Sequence, residues 1–450
     1  MAFQRVYTSP FPSPLVPTDL SISHDLDDPT KVLMFKSLRD NAALGAGGLQ
    51  AVLDLGEGDV FPQIIIDSHI SPVAPYDLSN RNNKTIPAGM CFSSGTSGKP
   101  KAVLLSHHNM IAQLLTIRAT NPFTHNGHMR EIFFPSFAHI YGIVSAVLLS
   151  AFVGSHTVAM KHFDFVPYLQ RCVGLRATIL RLVPATAIRL ANDPAVARLG
   201  LDLSSVRFIM CSGAALSADI IERLQQMLHP TAAVLNGYGM TECTISLLRE
   251  SQASAKAGSV GRLAAGVQVR IVNDNYEDVP SGQTGECLVK SPTMFLEYKG
   301  DPKATEEASV GGWLRTGDII RCDQDGFLWL EGRKKELIKY KGNQVPPAEL
   351  EAVLLEHPSV IDAGVCGVTN SQGEQVPAGF VTLTDGVQQA ARQDVLQEVK
   401  SFVEERVAPY KKLRGGLFYL ETLPKGNTGK LLRRQLLSVF EQSKESKSRL

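Results

Sequence analysis

The sequence predicts an α/β fold: a large N-terminal domain of parallel strands covered by helices, with a β-rich section, followed by a small α+β domain. One repeated pattern and two changes of texture carry that expectation. From about residue 130, short apolar runs alternate with helical segments: IFFPS, HIYGIVSAVLLSAFVG, SHTVAM, ATILRLVP, ATAIRLAND, VRFIMCSGA, SADIIERLQQML and AAVLNGYG. Repeated β-α-β units build parallel sheets, because a parallel pair needs a long crossover that a helix supplies. Ligands of such sheets gather at the carboxyl ends of the strands. Two glycine-bearing segments fall there, SGAAL at 212–216 and NGYGMTE at 236–242.

After residue 258 the texture changes: GSVGRLAAGVQVRIVN, GECLVKS and GFLWLEG read as short strands with turn signals. A charged stretch, GRKKELIKYKG, then precedes the α+β unit. Its first helix, PAELEAVLLE, starts at Pro347 and repeats apolar residues at Leu350, Val353 and Leu354; a later one carries Val395, Val399, Phe402 and Val403. A boundary near Lys335 gives domains 1–334 and 335–450.

Earlier in the chain, residues 93–101 read SSGTSGKPK. The glycines, hydroxyls and lysines suit an anion, since such a loop turns successive backbone N–H groups toward one ligand while Lys99 and Lys101 add charge. The spacing is not that of the nucleotidase loop G-x-x-x-x-G-K-[ST]: two residues separate Gly95 from Gly98, and Pro100 follows Lys99. AGMCFSS before the loop and KAVLLS after it are both short and apolar, so the loop reads as a hairpin tip. A helix, HHNMIAQLLTI, follows with Ser106 as its N-cap.

Composition narrows the function. The chain has 450 residues, 44% hydrophobic and 20% charged, enough for a large core in two or more domains. A formal net charge of +1 and the lack of a basic stripe interleaved with aromatics give no reason to expect nucleic acid. Seven scattered cysteines without a C-x-x-C pair argue for reduced thiols and against structural zinc. The longest apolar stretch, IVSAVLLSAFVG, is too short to span a bilayer, and the N-terminus lacks the pattern of a signal peptide. Ser448, Arg449 and Leu450 form a conservative variant of the S-K-L peroxisomal address, which implies an import receptor as partner and a peroxisomal location, with the cytoplasm otherwise.

Taken together and in order, SSGTSGKPK, NGYGMTE, GGWLRTGD, GRKKELIKYKG and LPKGNTGK closely resemble the adenylate-forming superfamily. Within it, they look like acyl-CoA ligases of the 4-coumarate-CoA ligase type. The resemblance covers residues 93–430. It implies a two-step reaction in which a small carboxylic acid and ATP give an acyl-adenylate and pyrophosphate, and the thiol of coenzyme A then displaces AMP.

It also implies roles. The loop of Ser93, Ser94, Gly95, Thr96, Ser97, Gly98, Lys99 and Lys101 would hold the β- and γ-phosphates. Thr241 would bond the α-phosphate, and Glu242 would ligate Mg²⁺, a hard cation that bridges phosphates. Gly213, Ala214, Ala215 and Tyr238 look like the adenine slot, and Asp318 would accept the ribose hydroxyls while Arg333 donates to them. Lys430 would reach the α-phosphate and the substrate carboxylate, where charge accumulates in the transition state.

The C-terminal domain bearing Lys430 is expected to be mobile, swinging in for adenylation and away for thioester formation. Lys335 matches the hinge, with Gly332 easing the rotation, and Lys339 and Gln344 match positions that face the nucleotide or the thiol tunnel. His139 matches an aromatic-pocket histidine. Tyr141, Ser145, Ala214, Gly237, Met240 and Ile245 would line the acyl pocket, compatible with an aryl-propenoate, an arylacetate or a medium-chain fatty acid.

Relatives carry more chain ahead of the phosphate loop, so the N-terminal region reads as shortened. That leaves a second reading, a nucleotide-binding protein without catalysis. The same motifs also suit an adenylation enzyme that loads a carrier protein, and a firefly-type oxidase of the adenylate.

Overall fold

The structure is a computed structural model. It describes residues 82–93, 100–160, 163–211, 218–229, 231–247, 256, 258–370, 372–384, 386–425 and 431–448, and a small hairpin of Ser21–His24 with Val32–Met34.

Strands β1 (Pro87–Ser93) and β2 (Lys101–Ser106) pair antiparallel, and their register ends at Ser93 opposite Lys101. The two strands flanking the glycine-rich loop therefore form a hairpin, as the sequence predicts; residues 94–99 themselves lie outside the described residues. Helix α1 (His107–Thr120) starts directly at the end of β2. Asn109 N donates to Ser106 Oγ at 3.1 Å while Ser106 N donates to Asn109 Oδ1 at 2.9 Å, a reciprocal cap worth about 1 kcal/mol.

The parallel sheet follows. β3 (Arg130–Phe133) pairs parallel with β4 (His156–Ala159) across a helical crossover, α2. The sequence reads α2 as one buried helix. In the structure it runs from Ile140–Gly142 through a π-helical stretch, Ile143–Leu149, to Ser150–Val153. Wider π turns recur at functional sites because they shift side chains out of the α register.

After α3 (Phe165–Leu175), strand β5 (Ile179–Leu182) lies beside β3, where Thr178 N donates to Arg130 O at 2.8 Å. After α4 (Pro184–Asn192), β5 pairs with β6 (Phe208–Cys211); after α5 (Ala218–Met227), β6 pairs with β7 (Ala233–Met240), both in parallel. Leu169, Leu180, Ile209 and Leu224 are fully buried between this sheet and its helices. Removing such a side chain from water contributes about 1.5–3 kcal/mol. β8 (Cys243–Leu247) then folds back antiparallel on β7.

The β-rich section places β9 (Gln268–Val272), β10 (Gly285–Lys290), β12 (Trp313–Cys322) and β13 (Leu328–Arg333) in one antiparallel sheet. Between them the short β11 (Glu297–Tyr298) returns to pair with β2, setting Tyr298 opposite Val103.

The C-terminal segment begins with a hairpin, β14 (Ile338–Tyr340) and β15 (Asn343–Val345). Helix α6 (Pro347–Leu355) starts at the proline, where a missing N–H costs nothing. Strands β16 (Val360–Thr369) and β17 (Gln375–Leu383), helix α7 (Arg392–Arg406), strand β18 (Leu417–Tyr419) and helix α8 (Arg433–Ser448) complete it. Val399 and Val403 of α7 are fully buried against Leu350, Leu354, Val365 and Val381. No helix among the described residues is long and apolar enough to cross a membrane.

Candidate active site

Strand β7 carries the segment NGYG inside the strand itself, and the turn to β8 consists of Thr241 and Glu242. Both turn residues are buried. The Tyr298 hydroxyl donates to Glu242 Oε1 at 2.8 Å, and Phe295 N donates to the Glu242 carbonyl at 2.8 Å. Lys101 Nζ sits 4.5 Å from the centroid of the Tyr298 ring. The tyrosine thus joins the base of the β1–β2 hairpin to the carboxylate expected to ligate Mg²⁺. No sequence pattern points to it, because residues 298 and 242 meet only through the return of β11 to β2.

Four residues before Glu242, Tyr238 donates its hydroxyl to Asp318 Oδ2 at 2.7 Å. Arg333 Nε lies 3.2 Å from Asp318 Oδ1, the two residues being cross-strand partners of β12 and β13. Asp318 reaches this place through a bulge: Glu286 and Leu288 of β10 oppose Ile319 and Arg315, so three residues stand opposite Cys287. Gly317, at φ +70, is the bulged residue that needs the left-handed region. The structure therefore brings together Tyr238, Asp318 and Arg333. The Tyr238 ring packs in the core with Cys243, Ile245 and Leu328, and burial, then the Asp318 charge, hold its phenol protonated.

Among the residues expected to line the acyl pocket, His139 caps α2, its Nδ1 accepting from Tyr141 N at 3.1 Å. That fixes Nδ1 as an acceptor and puts the proton of a neutral ring on Nε2. Ser145 is buried in the π-helical stretch, one turn on from the half-buried Tyr141. Ile245 is fully buried in β8, and Gly237 and Met240 are partly buried in β7.

Beside Tyr141 lies a group that sequence reasoning missed. Arg181 of β5 is 2% exposed and Glu131 of β3 is fully buried. Arg181 Nε contacts Glu131 Oε2 at 2.5 Å, and Arg181 Nη1 donates to the Tyr141 hydroxyl. Thr157 donates to Glu131 Oε1 at 3.0 Å. Burial alone would lower the guanidinium's pKa, but the Glu131 charge and Tyr141 more than reverse this, so Arg181 stays charged.

His125, close enough to feel Arg181, is buried with Nδ1 unpartnered among the described residues. Burial first, then Arg181 and Arg118, pull its pKa from 6.5 down to about 3. The unfolded chain takes up this proton near pH 6.5 and the folded chain does not, so stability is present above 6.5 and lost as pH falls. The unfolding free energy from denaturant titration is expected to drop by about 2 kcal/mol at pH 5. His125→Gln should flatten that slope.

At the domain connection, Lys335 is exposed and follows Gly332, whose φ of +147 an L side chain rarely adopts. Lys339 and Gln344 are directly opposite on the β14–β15 hairpin, and both are exposed. Ser94, Gly95, Thr96, Ser97, Gly98, Lys99, Gly213, Ala214, Ala215 and Lys430 lie outside the described residues, as do Arg449 and Leu450. Lys430 is flanked by an antiparallel bridge of Lys425 with Leu431.

Among the described residues no group of three or more His, Cys, Asp or Glu could hold a metal ion. Glu242 alone suits Mg²⁺, which keeps water and takes nucleotide phosphates as its other ligands. The seven cysteines are free thiols, six of them buried; burial pushes Cys172 and Cys211 up to about 12, out of the reactive range. A groove of about 230 Å³ along Arg270, Asp278, Pro280 and Cys322 touches none of the site residues.

A sheet whose central strand ends in a buried threonine and glutamate, and which shares a tyrosine with a carboxylate–arginine pair on the neighbouring sheet, defines an α/β protein with charged side chains gathered at one strand end. The chain belongs to the AMP-binding enzyme family: residues 25–299 match the AMP-binding enzyme model and residues 349–430 that of its C-terminal domain. It is 35% identical over 373 residues to a probable 4-coumarate–CoA ligase 2 of Dictyostelium discoideum, covering 82% of this chain and 65% of the relative.

It is also 35% identical to the peroxisomal OPC-8:0-CoA ligase 1 of Arabidopsis thaliana, over 80% of this chain and 66% of that one. The chain thus spans slightly less than two thirds of the length of these curated relatives. Among solved structures it is similar to the O-succinylbenzoate coenzyme A synthetase of Bacillus subtilis in complex with ATP and magnesium. The TM-score is 0.68 at 26% identity, over 81% of this chain and 73% of that one.

Proposed function

We propose that this chain is an AMP-forming acyl-CoA ligase, which activates a small carboxylic acid with ATP and passes the acyl group to coenzyme A. The observation that carries the reading is strand β7. Its Tyr238 is bonded to Asp318, and its end holds Glu242, so one strand fixes the carboxylate for the ribose and the carboxylate for the phosphate side. The names of the relatives, a probable 4-coumarate–CoA ligase and an OPC-8:0-CoA ligase, support the same reading.

In this reading Asp318 accepts hydrogen bonds from the ribose hydroxyls and Arg333, its ion-pair partner, donates to them. Thr241 and the β1–β2 loop hold the phosphates, and Lys101 adds positive charge at the base of that loop. Glu242 would hold Mg²⁺, whose charge would offset that of the phosphates. Tyr298 holds one Glu242 oxygen, so the other is the one that would ligate the cation. The acid's carboxylate attacks the α-phosphorus, pyrophosphate leaves, and Lys430 offsets the charge that builds there. Residues 1–334 would form the nucleotide-binding domain and 335–450 a lid that turns about Lys335, presenting Lys339 and Gln344 in one of its poses. The address read in Ser448, Arg449 and Leu450, together with a peroxisomal relative, supports delivery to that organelle.

The test is pyrophosphate release by the purified chain with ATP, Mg²⁺ and a panel of aryl and fatty acids, then coenzyme A or a carrier protein as acceptor. Release that needs an acid, followed by a coenzyme A thioester, supports the reading. ATP binding without acid-dependent release favours a non-catalytic nucleotide-binding protein. Tyr298→Phe should raise the Mg²⁺ concentration needed for half-maximal ATP binding by about tenfold, as second-sphere partners of metal ligands do. Calorimetric titration of ATP at several Mg²⁺ concentrations reads this without turnover.

A further inference from the structure

Lys430 ends a short segment whose two feet lie within the described residues. An antiparallel bridge joins Lys425 to Leu431, and Leu432 N donates to the Pro424 carbonyl at 2.9 Å. Residues 426–430 connect the bridge partners. So few residues have little reach of their own, and where the feet stand decides where Lys430 can go.

Both feet are seated on β16. Lys425 Nζ lies 2.5 Å from Asp362 Oδ2, while Asp362 Oδ1 accepts from Ala363 N at 3.1 Å, so both oxygens of the carboxylate are engaged. Asp362 follows a bulge: Val360 opposes Leu383 and Asp362 opposes Thr382, which leaves Ile361 as the extra residue. Bulges re-aim the side chains beside them. Two residues further on, Gly364 makes room for the other foot, since a Cβ there would lie 2.8 Å from Leu431 Cδ2. Leu431 packs against the same core as Leu423, Phe380 and Phe440, so the segment springs from packed residues on either side.

The side chains of Lys425 and Asp362 are 35% and 22% exposed, and a pair so open to water contributes little to stability. Its place at the foot of the segment gives it another use. We infer that Asp362 and Lys425 are positioning residues, a clasp that fixes the base of the segment ending in Lys430, so that this lysine meets the developing charge in one placement. The inference rests on the acyl-CoA ligase reading for the role of Lys430. A group misplaced by about 1 Å can lose much of its effect on a rate, so a weak pair in the ground state can matter in the transition state.

The experiment compares Asp362→Asn, Lys425→Met and the exchanged pair Asp362→Lys with Lys425→Glu, each alone and in a Lys430→Ala background. The expected result is a kcat for acid-dependent pyrophosphate release that falls about tenfold in either single variant, less than on loss of Lys430 itself. The KM for ATP and thioester formation from supplied acyl-adenylate should stay unchanged, and the exchanged pair should restore most of the rate. In the Lys430→Ala background none of these changes should alter the residual rate, because a residue that acts through Lys430 then has nothing to act on.

Hydrogen exchange of the peptide containing Leu432, read by mass spectrometry, follows the clasp without turnover. Exchange should be about tenfold faster in the single variants and recover in the exchanged pair. That pattern supports the inference even when the wild type releases no pyrophosphate, and in that case only the ligase reading fails. Unchanged exchange in the single variants, full pyrophosphate release by them in an active enzyme, equal losses in both half-reactions, or the same loss with and without Lys430 overturns the inference. A loss in Lys425→Met that Asp362→Asn does not share overturns it as well.

Discussion

Arg181→Met is expected to destabilise the N-terminal α/β core by about 3–5 kcal/mol. Methionine fills much of the arginine's volume, so packing changes little. What changes is Glu131, fully buried and left with Thr157 as its one remaining partner. Its carboxylate must then either stay ionised without a counter-charge or take up a proton, and both cost free energy that the folded chain alone bears. Adding Glu131→Leu should recover most of the loss, because the expense lies in the orphaned charge and not in the missing contact. Denaturant unfolding followed by near-ultraviolet circular dichroism compares the three proteins. Equal midpoints for wild type and Arg181→Met would mean that the pair is solvated in solution.

Lys430→Ala should slow acid-dependent pyrophosphate release about 10²–10³-fold, the usual effect of removing one group aimed at developing charge. The loss should appear in kcat with little change in the KM for ATP, since the interaction forms chiefly in the transition state. Thioester formation from acyl-adenylate supplied ready-made should survive, because that step needs no cation at the α-phosphate. Comparing the two half-reactions in one preparation decides the matter: equal losses in both would point to a folding defect, and no loss in the first would remove Lys430 from the chemistry. Near this residue the structure offers firm anchorage. Arg433, at the start of α8, lies 3.1 Å from Glu336 and 2.7 Å from Glu351, tying the segment after Lys430 to α6 and to the turn after β13.

Much of this was legible locally. The hairpin around SSGTSGKPK, the Ser106 cap, the β-α-β alternation after residue 130 and the start of α6 at Pro347 follow from patterns spanning a few residues, and each stands in the structure. Asp318 and Arg333 were nameable because their motifs resemble a family, and the sheet then sets them opposite each other. Three features resisted. Glu131 and Arg181 lie 50 residues apart on strands that meet only when the sheet forms; alone, each reads as a charge at a strand end. Tyr298 meets Glu242 only through the β11 return, and the π turns of α2 arise from packing, as an apolar run does not specify its hydrogen-bond spacing.

The β14–β15 hairpin closes through a two-residue turn, Lys341 at φ +47 and Gly342 at φ +79, the left-handed pair that matches the twist of its strands. Such a turn has little slack. Lys339 and Gln344, paired across it, project from the same side and move as one body. Any rotation about Gly332 and Lys335 therefore delivers an ammonium and an amide together or withdraws them together. In the proposed reading the C-terminal segment would act as a two-position selector whose settings are given by a backbone angle, with no separate decision left to either side chain.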